Sequence, residues 1–274
     1  LCLRRAAEMA KILGEDKKAK LFTEKAEAYS AAINKYGYSE EKRAYIDTVR
    51  DEYSYEHYLE FYKKKGRTPI PYETYVKQVR VSVQTNTLAY LAGIIPKEKE
   101  ADAMRFLVDN LDKGSFIAGT PARKTIGYPT EAEAPGGYVH IGSPFFLFFA
   151  YDAICKYGRH DIMLKSIRRE WETMIAHGTN TCWEGFGAGK TWTRSIAHGW
   201  SASPAIYLQT EILGIKPLEA GFTKFTVVPH SDSELTHAEG AVATPYGKIS
   251  VKWEKHGDGY EIKVDAPAEC EYVK

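Results

Sequence analysis

A change of period constrains this chain more than any other feature. Up to about Leu213 the apolar residues recur at helical spacing; after Pro217 they alternate with polar ones. The helical signal predicts eight helices: Leu3 to Leu13, Asp16 to Asn34, Tyr53 to Gly66, Tyr72 to Ala92, one opening at Pro96, Ser143 to Tyr157, His160 to His177, and Ser195 to Leu213. Pro96 suits a first turn, where its missing N–H costs nothing. Beyond residue 216, Ile249, Val251 and Trp253 alternate with polar residues, as do Tyr260, Ile262 and Val264. His256-Gly257-Asp258-Gly259 between those runs is a hairpin turn. The expected fold class is therefore mainly α with a C-terminal β unit, divided into 1–215 and 216–274. Helix hairpins of this kind arrange in a ring or bundle. The β unit has about four or five strands, thin for a structure that needs two buried faces.

Two connections are candidates for function. Residues 114–142 form a stretch of 29 residues without a clear period, and loops that long in compact domains usually carry function or are disordered. The other lies in "TNTCWEGFGAGKTWTRSIAHGWSASP", Thr179 to Pro204, where Glu184 is the lone carboxylate among three tryptophans and four glycines. A glycoside-cleaving site needs two carboxylates, one to protonate the leaving oxygen and one to activate water or attack the sugar. Glu184 suits the second role, beside Trp183 and glycines that let backbone approach a ligand. The bland alternative is a carboxylate that solvates a loop. His198 is 14 residues further on and can hydrogen-bond a sugar hydroxyl or steady a carboxylate; a helix-terminal histidine bound to backbone is the competing reading. Trp200 is either sugar-facing or core. Tyr138 and His140 in "GYVHIGSP" carry the same ambiguity, and Glu131 and Glu133 are the other carboxylates of the long loop.

Bulk properties narrow the remaining classes. Charge is balanced, 37 basic against 36 acidic residues, which argues against a nucleic-acid or anionic-membrane partner. The longest apolar run, "SPFFLFFAYDAI", is too short to cross a membrane. Cys2, Cys155, Cys182 and Cys270 have no metal-ligand spacing and read as free thiols, which favours a reducing, cytoplasmic setting. The eight histidines show no ligand spacing, "GFGAG" does not follow a strand into a nucleotide-binding helix, and no HExxH is present. No metal or cofactor is expected. The 5 Trp, 19 Tyr and 11 Phe suit an aromatic core or a cleft lined by flat rings.

"TCWEGF", "SIAHGWSASPAIYLQTEILGIKPLEAGFTKFTVVPH" and "AEGAVATPYGKISVKWE" resemble the end of a bacterial α-L-rhamnosidase of glycoside hydrolase family 78. "VSVQTNTLAYLAGIIPKEK" and "RAAEMAKILGEDKKAKLFTEKAEAYSAAINKYGY" are similar to earlier helices of that family. The resemblance covers nearly the whole chain and is strongest from Thr179 to Trp253. It implies part of an (α/α)6 barrel followed by a small antiparallel β-sandwich, and an inverting hydrolase releasing L-rhamnose from plant glycosides or polysaccharides. Carried over, Glu184 is the general base and His198 contacts the sugar, with Trp183, Trp200, His140 and Tyr138 as further substrate-binding candidates. The family's general acid lies upstream of the first helices, and no segment here matches it. A first residue already in helical phase, eight helices rather than twelve and few strands lead to the expectation of a piece of a longer protein. The Tyr45–Val79 segment is longer than the matching connection and reads as an insertion at the cleft rim. Competing readings are a non-catalytic carbohydrate-binding module and another (α/α)6 glycosidase; neither composition nor motif speaks to oligomeric state.

Overall fold

A computed structural model of the chain describes residues 1–113, 138–139, 141, 143–186, 195–231 and 234–274, with Tyr138 described by its backbone. His140, Glu131, Glu133, most of the 114–142 stretch and the end of "GFGAG" lie outside the described residues. The backbone divides into two units, Leu1–Ile141 and Gly142–Lys274.

The first unit opens with a helix hairpin, α1 (Cys2–Ile12) and α2 (Asp16–Tyr36). Alanines face the contact: Ala7 and Ala10 are buried on α1, Ala19 and Ala26 on α2. Short strands β1 (Tyr38–Ser39) and β2 (Ala44–Tyr45) pair antiparallel. α3 (Glu52–Lys64) starts on a reciprocal cap, with Asp51 accepting from the Ser54 amide at 2.8 Å and the Ser54 hydroxyl accepting from the Asp51 amide at 2.8 Å. Tyrosines at helical spacing on this helix, Tyr55, Tyr58 and Tyr62, form a stripe that packs on α4 (Tyr72–Lys77). Tyr75 is buried, with Tyr58 and Tyr55 rings 4.9 and 5.1 Å from its own.

The single helix expected over Tyr72 to Ala92 is instead two. α4 stops at Lys77, β3 (Val81–Ser82) is extended, and α5 (Val83–Leu91) begins immediately after it. Val79, Val81 and Val83 alternate, a strand pattern of β-branched residues inside the helical run. Ser82 then caps α5, its hydroxyl accepting from the Thr85 amide at 3.0 Å. β3 pairs parallel with β4 (Tyr138–Val139). Asn86, fully buried, pairs with Tyr45 as another strand would: it accepts from the Tyr45 amide at 2.9 Å and donates to the Tyr45 carbonyl at 3.0 Å. That accounts for the asparagine of "QTN". α6 (Lys97–Lys113) packs on α5 through Ala103, Met104, Leu107 and Leu111.

The second unit holds α7 (Leu147–Lys156) and α8 (His160–Ala176), joined across their contact by Tyr151 Oη and Ser166 Oγ at 3.0 Å. Leu147, Ala150, Tyr151, Ala153 and Ile154 are all fully buried, so α7 is the core helix of this unit. The helix expected over Ser195 to Leu213 is broken. Residues 195–198 are not helical; a 3₁₀ turn spans Gly199–Ser201, α9 spans Ser203–Tyr207 with Pro204 in its first turn, and a π turn spans Leu208–Ile212. The switch from helix to strand at about residue 215 falls inside this unit.

Six strands follow. β5 (Ile215–Pro217) and β6 (Lys224–Val227) pair antiparallel, and β10 (Glu271–Tyr272) joins β6 in parallel. The expectation of a wholly antiparallel unit is therefore corrected: the chain end runs alongside β6 in the same direction. β7 (His237–Thr244), β8 (Gly247–His256) and β9 (Gly259–Asp265) form an antiparallel meander, and the hairpin expected at 256–259 closes β8 onto β9 with Gly257 at φ 61°. One face of β8 is buried through Ile249, Val251 and Trp253, and the Trp253 indole donates to the Ile212 carbonyl at 2.8 Å. Gly214 turns the chain from the π turn into β5 at φ 80°; a Cβ there would sit 2.4 Å from the Val228 and Pro229 backbone.

Candidate active site

Glu184 lies on a short stretch after α8 that pairs antiparallel with residues 195–198. The His198 amide donates to the Cys182 carbonyl at 2.7 Å, the Glu184 amide to the Ser195 carbonyl at 2.8 Å, and the Thr181 hydroxyl to the Ile196 carbonyl at 2.5 Å. These bonds use the residues that sequence alone assigns to a helix, which is why that helix does not form. Trp183 anchors the stretch. Its ring is fully buried, its indole N–H donates to Thr179 Oγ1 at 3.0 Å, and the Thr179 hydroxyl donates to the last turn of α8 at Met174 O, 2.8 Å away. His177 meets the Trp183 ring edge to face at 5.2 Å. Thr179 thus fixes the turn after α8 through its side chain.

Trp183 thus belongs to the core of this unit, and Glu184 beside it is partly exposed. The Ser195 amide donates to Glu184 Oε2 at 3.1 Å. His198 is partly buried, and its ring lies 4.3 Å from the Trp200 ring. Its Nδ1 is buried with no hydrogen-bond partner among the described residues. Trp200 is 41% exposed, its ring 5.3 Å from Phe145, and its indole N–H donates to the Glu184 carbonyl at 3.1 Å. Glu184, His198 and Trp200 therefore share one region, while Trp183 supports it from beneath. Tyr138 belongs to β4 in the other unit, and His140 lies outside the described residues.

A second polar cluster escaped the sequence reading. Glu211, on the π turn, is 9% exposed. Its Oε2 takes the Lys216 ammonium at 2.7 Å and lies 3.1 Å from His160 Nε2 and 3.9 Å from His230 Nδ1. The His160 and His230 rings stack at 3.6 Å, nearly parallel. Burial alone would raise the Glu211 carboxyl, but the hydrogen bonds from His160 and Lys216 outweigh it and hold the group at about 2. Burial, with His160 and Lys216 beside it, pushes His230 below its ordinary value. Burial pushes the Cys155 thiol up, with Glu211 adding to the effect. Cys155, His160 and Glu211 offer ligand atoms within 4.8 Å of one another. The same carboxylate oxygen already carries the lysine charge, so the protein neutralises this cluster itself. Only the π turn, which sequence periodicity does not show, brings Glu211 here.

The surroundings of Glu184 can be set beside known proteins. Residues 214–273 match the model of the bacterial alpha-L-rhamnosidase C-terminal domain. An α-L-rhamnosidase of Alteromonas sp. (strain LOR) is 30% identical over 138 residues, 46% of this chain and 15% of that protein. One from Formosa agariphila is 28% identical over 123 residues, 40% of this chain and 13% of that protein. Among solved structures, the GH78 rhamnosidase of Bacillus sp. GL1 superposes with a TM-score of 0.73 at 31% identity, covering 98% of this chain and 24% of that one. This chain is a relative of the GH78 α-L-rhamnosidases. The resemblance carried by its motifs is borne out, and the chain is glycosidase-like. A Streptomyces avermitilis α-L-rhamnosidase, solved with L-rhamnose, shares the fold with a TM-score of 0.62 at 17% identity, over 98% of this chain and 22% of that one. The chain thus spans about a quarter of the length of these solved relatives.

Proposed function

We propose that this GH78 relative contributes the water-activating half of an inverting α-L-rhamnosidase site, with Glu184 as general base. One observation carries the reading: a partly exposed carboxylate stands directly on a buried, hydrogen-bonded tryptophan, with its flanking backbone held in place. A base must keep a fixed aim on a water and remain able to take its proton. Glu184 is partly exposed, whereas Glu211 is buried and gripped by Lys216 and His160. In an inverting enzyme the acid partner stands roughly 6.5–9.5 Å from the base, leaving room for that water. We assign the acid to a segment upstream of residue 1, in keeping with the family resemblance.

On this reading, residues 1–215 are a segment of an (α/α)6 barrel and residues 216–274 contribute to a C-terminal β-sandwich. His198 and Trp200 face the sugar, Trp183 supports the base, and Tyr138 and His140 are further substrate-binding candidates. The substrate is an L-rhamnoside of a plant glycoside or polysaccharide. Glu184→Gln in the full-length protein tests the assignment with an aryl α-L-rhamnoside. The expected result is a fall in kcat of about 10²- to 10⁴-fold, the usual worth of a general base. Near-wild-type hydrolysis by that variant removes Glu184 from the mechanism.

A further inference from the structure

We propose that Trp200 and Ser201 are positioning residues that set the aim of Glu184, an inference that rests on reading Glu184 as the base. Two consecutive side chains hold two consecutive peptide carbonyls. Trp200 Nε1 donates to the Glu184 carbonyl at 3.1 Å, and Ser201 Oγ donates to the Trp183 carbonyl. These carbonyls belong to the two peptide units on either side of the Glu184 Cα. A peptide plane is rigid, so holding both planes fixes the φ and ψ of the residue between them. With φ and ψ fixed, the direction of the Cα–Cβ bond is fixed as well.

The first plane is held at both ends. Ser201 takes its oxygen, and Ser195 O accepts its N–H at 2.8 Å. The carboxylate is held in turn by the Ser195 amide at 3.1 Å. The remaining freedom of Glu184 is largely in its side-chain torsions, and the Ser195 amide restricts those.

Burial explains Ser201 but not Trp200. Ser201 is fully buried, where a hydroxyl and a carbonyl need each other. Trp200 is 41% exposed, so packing alone gives little reason for so large a ring at this position. Its role follows from the N–H that reaches back under Glu184 and from the ring face shared with His198 and Phe145. The 3₁₀ turn over Gly199–Ser201 presents both donors at once, which a continuous α-helix through these residues would not do.

Trp200→Phe keeps a ring against His198 and Phe145 and deletes the N–H. In the full-length protein with an aryl α-L-rhamnoside, the expected result is a kcat lowered about 10- to 100-fold with KM within about 2-fold, because misaim acts on the reacting geometry rather than on binding. A wild-type kcat in this variant overturns the clamp while leaving Glu184 as base. Amide hydrogen exchange reads the clamp without turnover. The Glu184 amide is expected to exchange at least about 10-fold faster in Trp200→Phe, reflecting more frequent local opening. Unchanged exchange overturns the clamp. If the wild-type protein cleaves no rhamnoside, the reading of Glu184 as base falls, and the exchange result alone decides whether the clamp exists.

Discussion

Two glutamates in the second unit are held in opposite ways. Glu184 takes a backbone amide on its carboxylate, and its own peptide groups are tied to neighbouring side chains and backbone. Glu211 is buried and gripped by Lys216 and His160, with His230 beside them. The first arrangement fixes direction and leaves the group partly exposed. The second fixes charge and pulls the carboxyl down to about 2, which makes it a poor proton acceptor near neutrality. On the proposed reading, burial and nearby cations are poor guides to the catalytic carboxylate, because the base is the more exposed of the two glutamates.

The comparison breaks most directly at Glu184. Glu184→Gln is expected to abolish most turnover, as stated above, while a thermal melt moves by no more than a few degrees, since the side chain is partly exposed and the amide oxygen can still accept from Ser195. Glu211→Gln should do the reverse. It leaves Lys216 and His160 facing a neutral amide in a buried place, at a cost of about 3 kcal/mol read from urea unfolding. A stable Glu211→Gln protein with lost activity would invert the two roles.

Acid should sharpen the contrast. Glu211 has its proton affinity lowered on folding, so the unfolded chain takes up the proton first as pH falls. The stability this carboxylate contributes is present above its ordinary value of 4.5 and is lost between there and about 2. The shift is worth up to about 3 kcal/mol. His230 is also lowered on folding, so it favours the neutral folded form and costs stability as pH drops below its ordinary 6.5. Both effects have the same sign. Chemical denaturation at pH 7, 5 and 3 should show falling stability, with the step below pH 5 missing in Glu211→Gln; an unaltered step there would detach Glu211 from the acid sensitivity.

The smallest expected effect is at Trp183. Trp183→Phe keeps a buried ring and loses the hydrogen bond to Thr179, at about 1 kcal/mol. It should lower kcat less than Trp200→Phe, because Trp183 supports the loop from below, whereas Trp200 grips the Glu184 carbonyl. Equal losses in kcat for the two variants would erase that distinction.

Much of the framework was legible before any coordinates. The first helix hairpin, the tyrosine face of α3, α7 and α8, the alternating β8 and β9 and the turn at Gly257 all follow from local spacing. The Trp-Glu pair was visible as one carboxylate in an aromatic, glycine-rich stretch. Two helices were overextended, at 78–82 and 195–198. In the first, alternating valines and a serine cap outweigh the helical run. In the second, extended backbone pairs with residues 181–184, a match that no single segment announces.

Local chemistry therefore determined by itself where most of the helices and the β8–β9 hairpin lie, and which carboxylate stands beside Trp183. Period and turn chemistry act within a few residues, so one sequence suffices to read them. Only tertiary structure decided that β10 runs parallel to β6, that Asn86 stands in for a strand against Tyr45, and that Trp200 and Ser201 reach back 16 and 18 residues to the backbone around Glu184. It likewise brought His160 to Glu211 across 51 residues. These contacts depend on how separate segments pack, and hydrogen bonds formed at such separations leave no period in the chain that makes them.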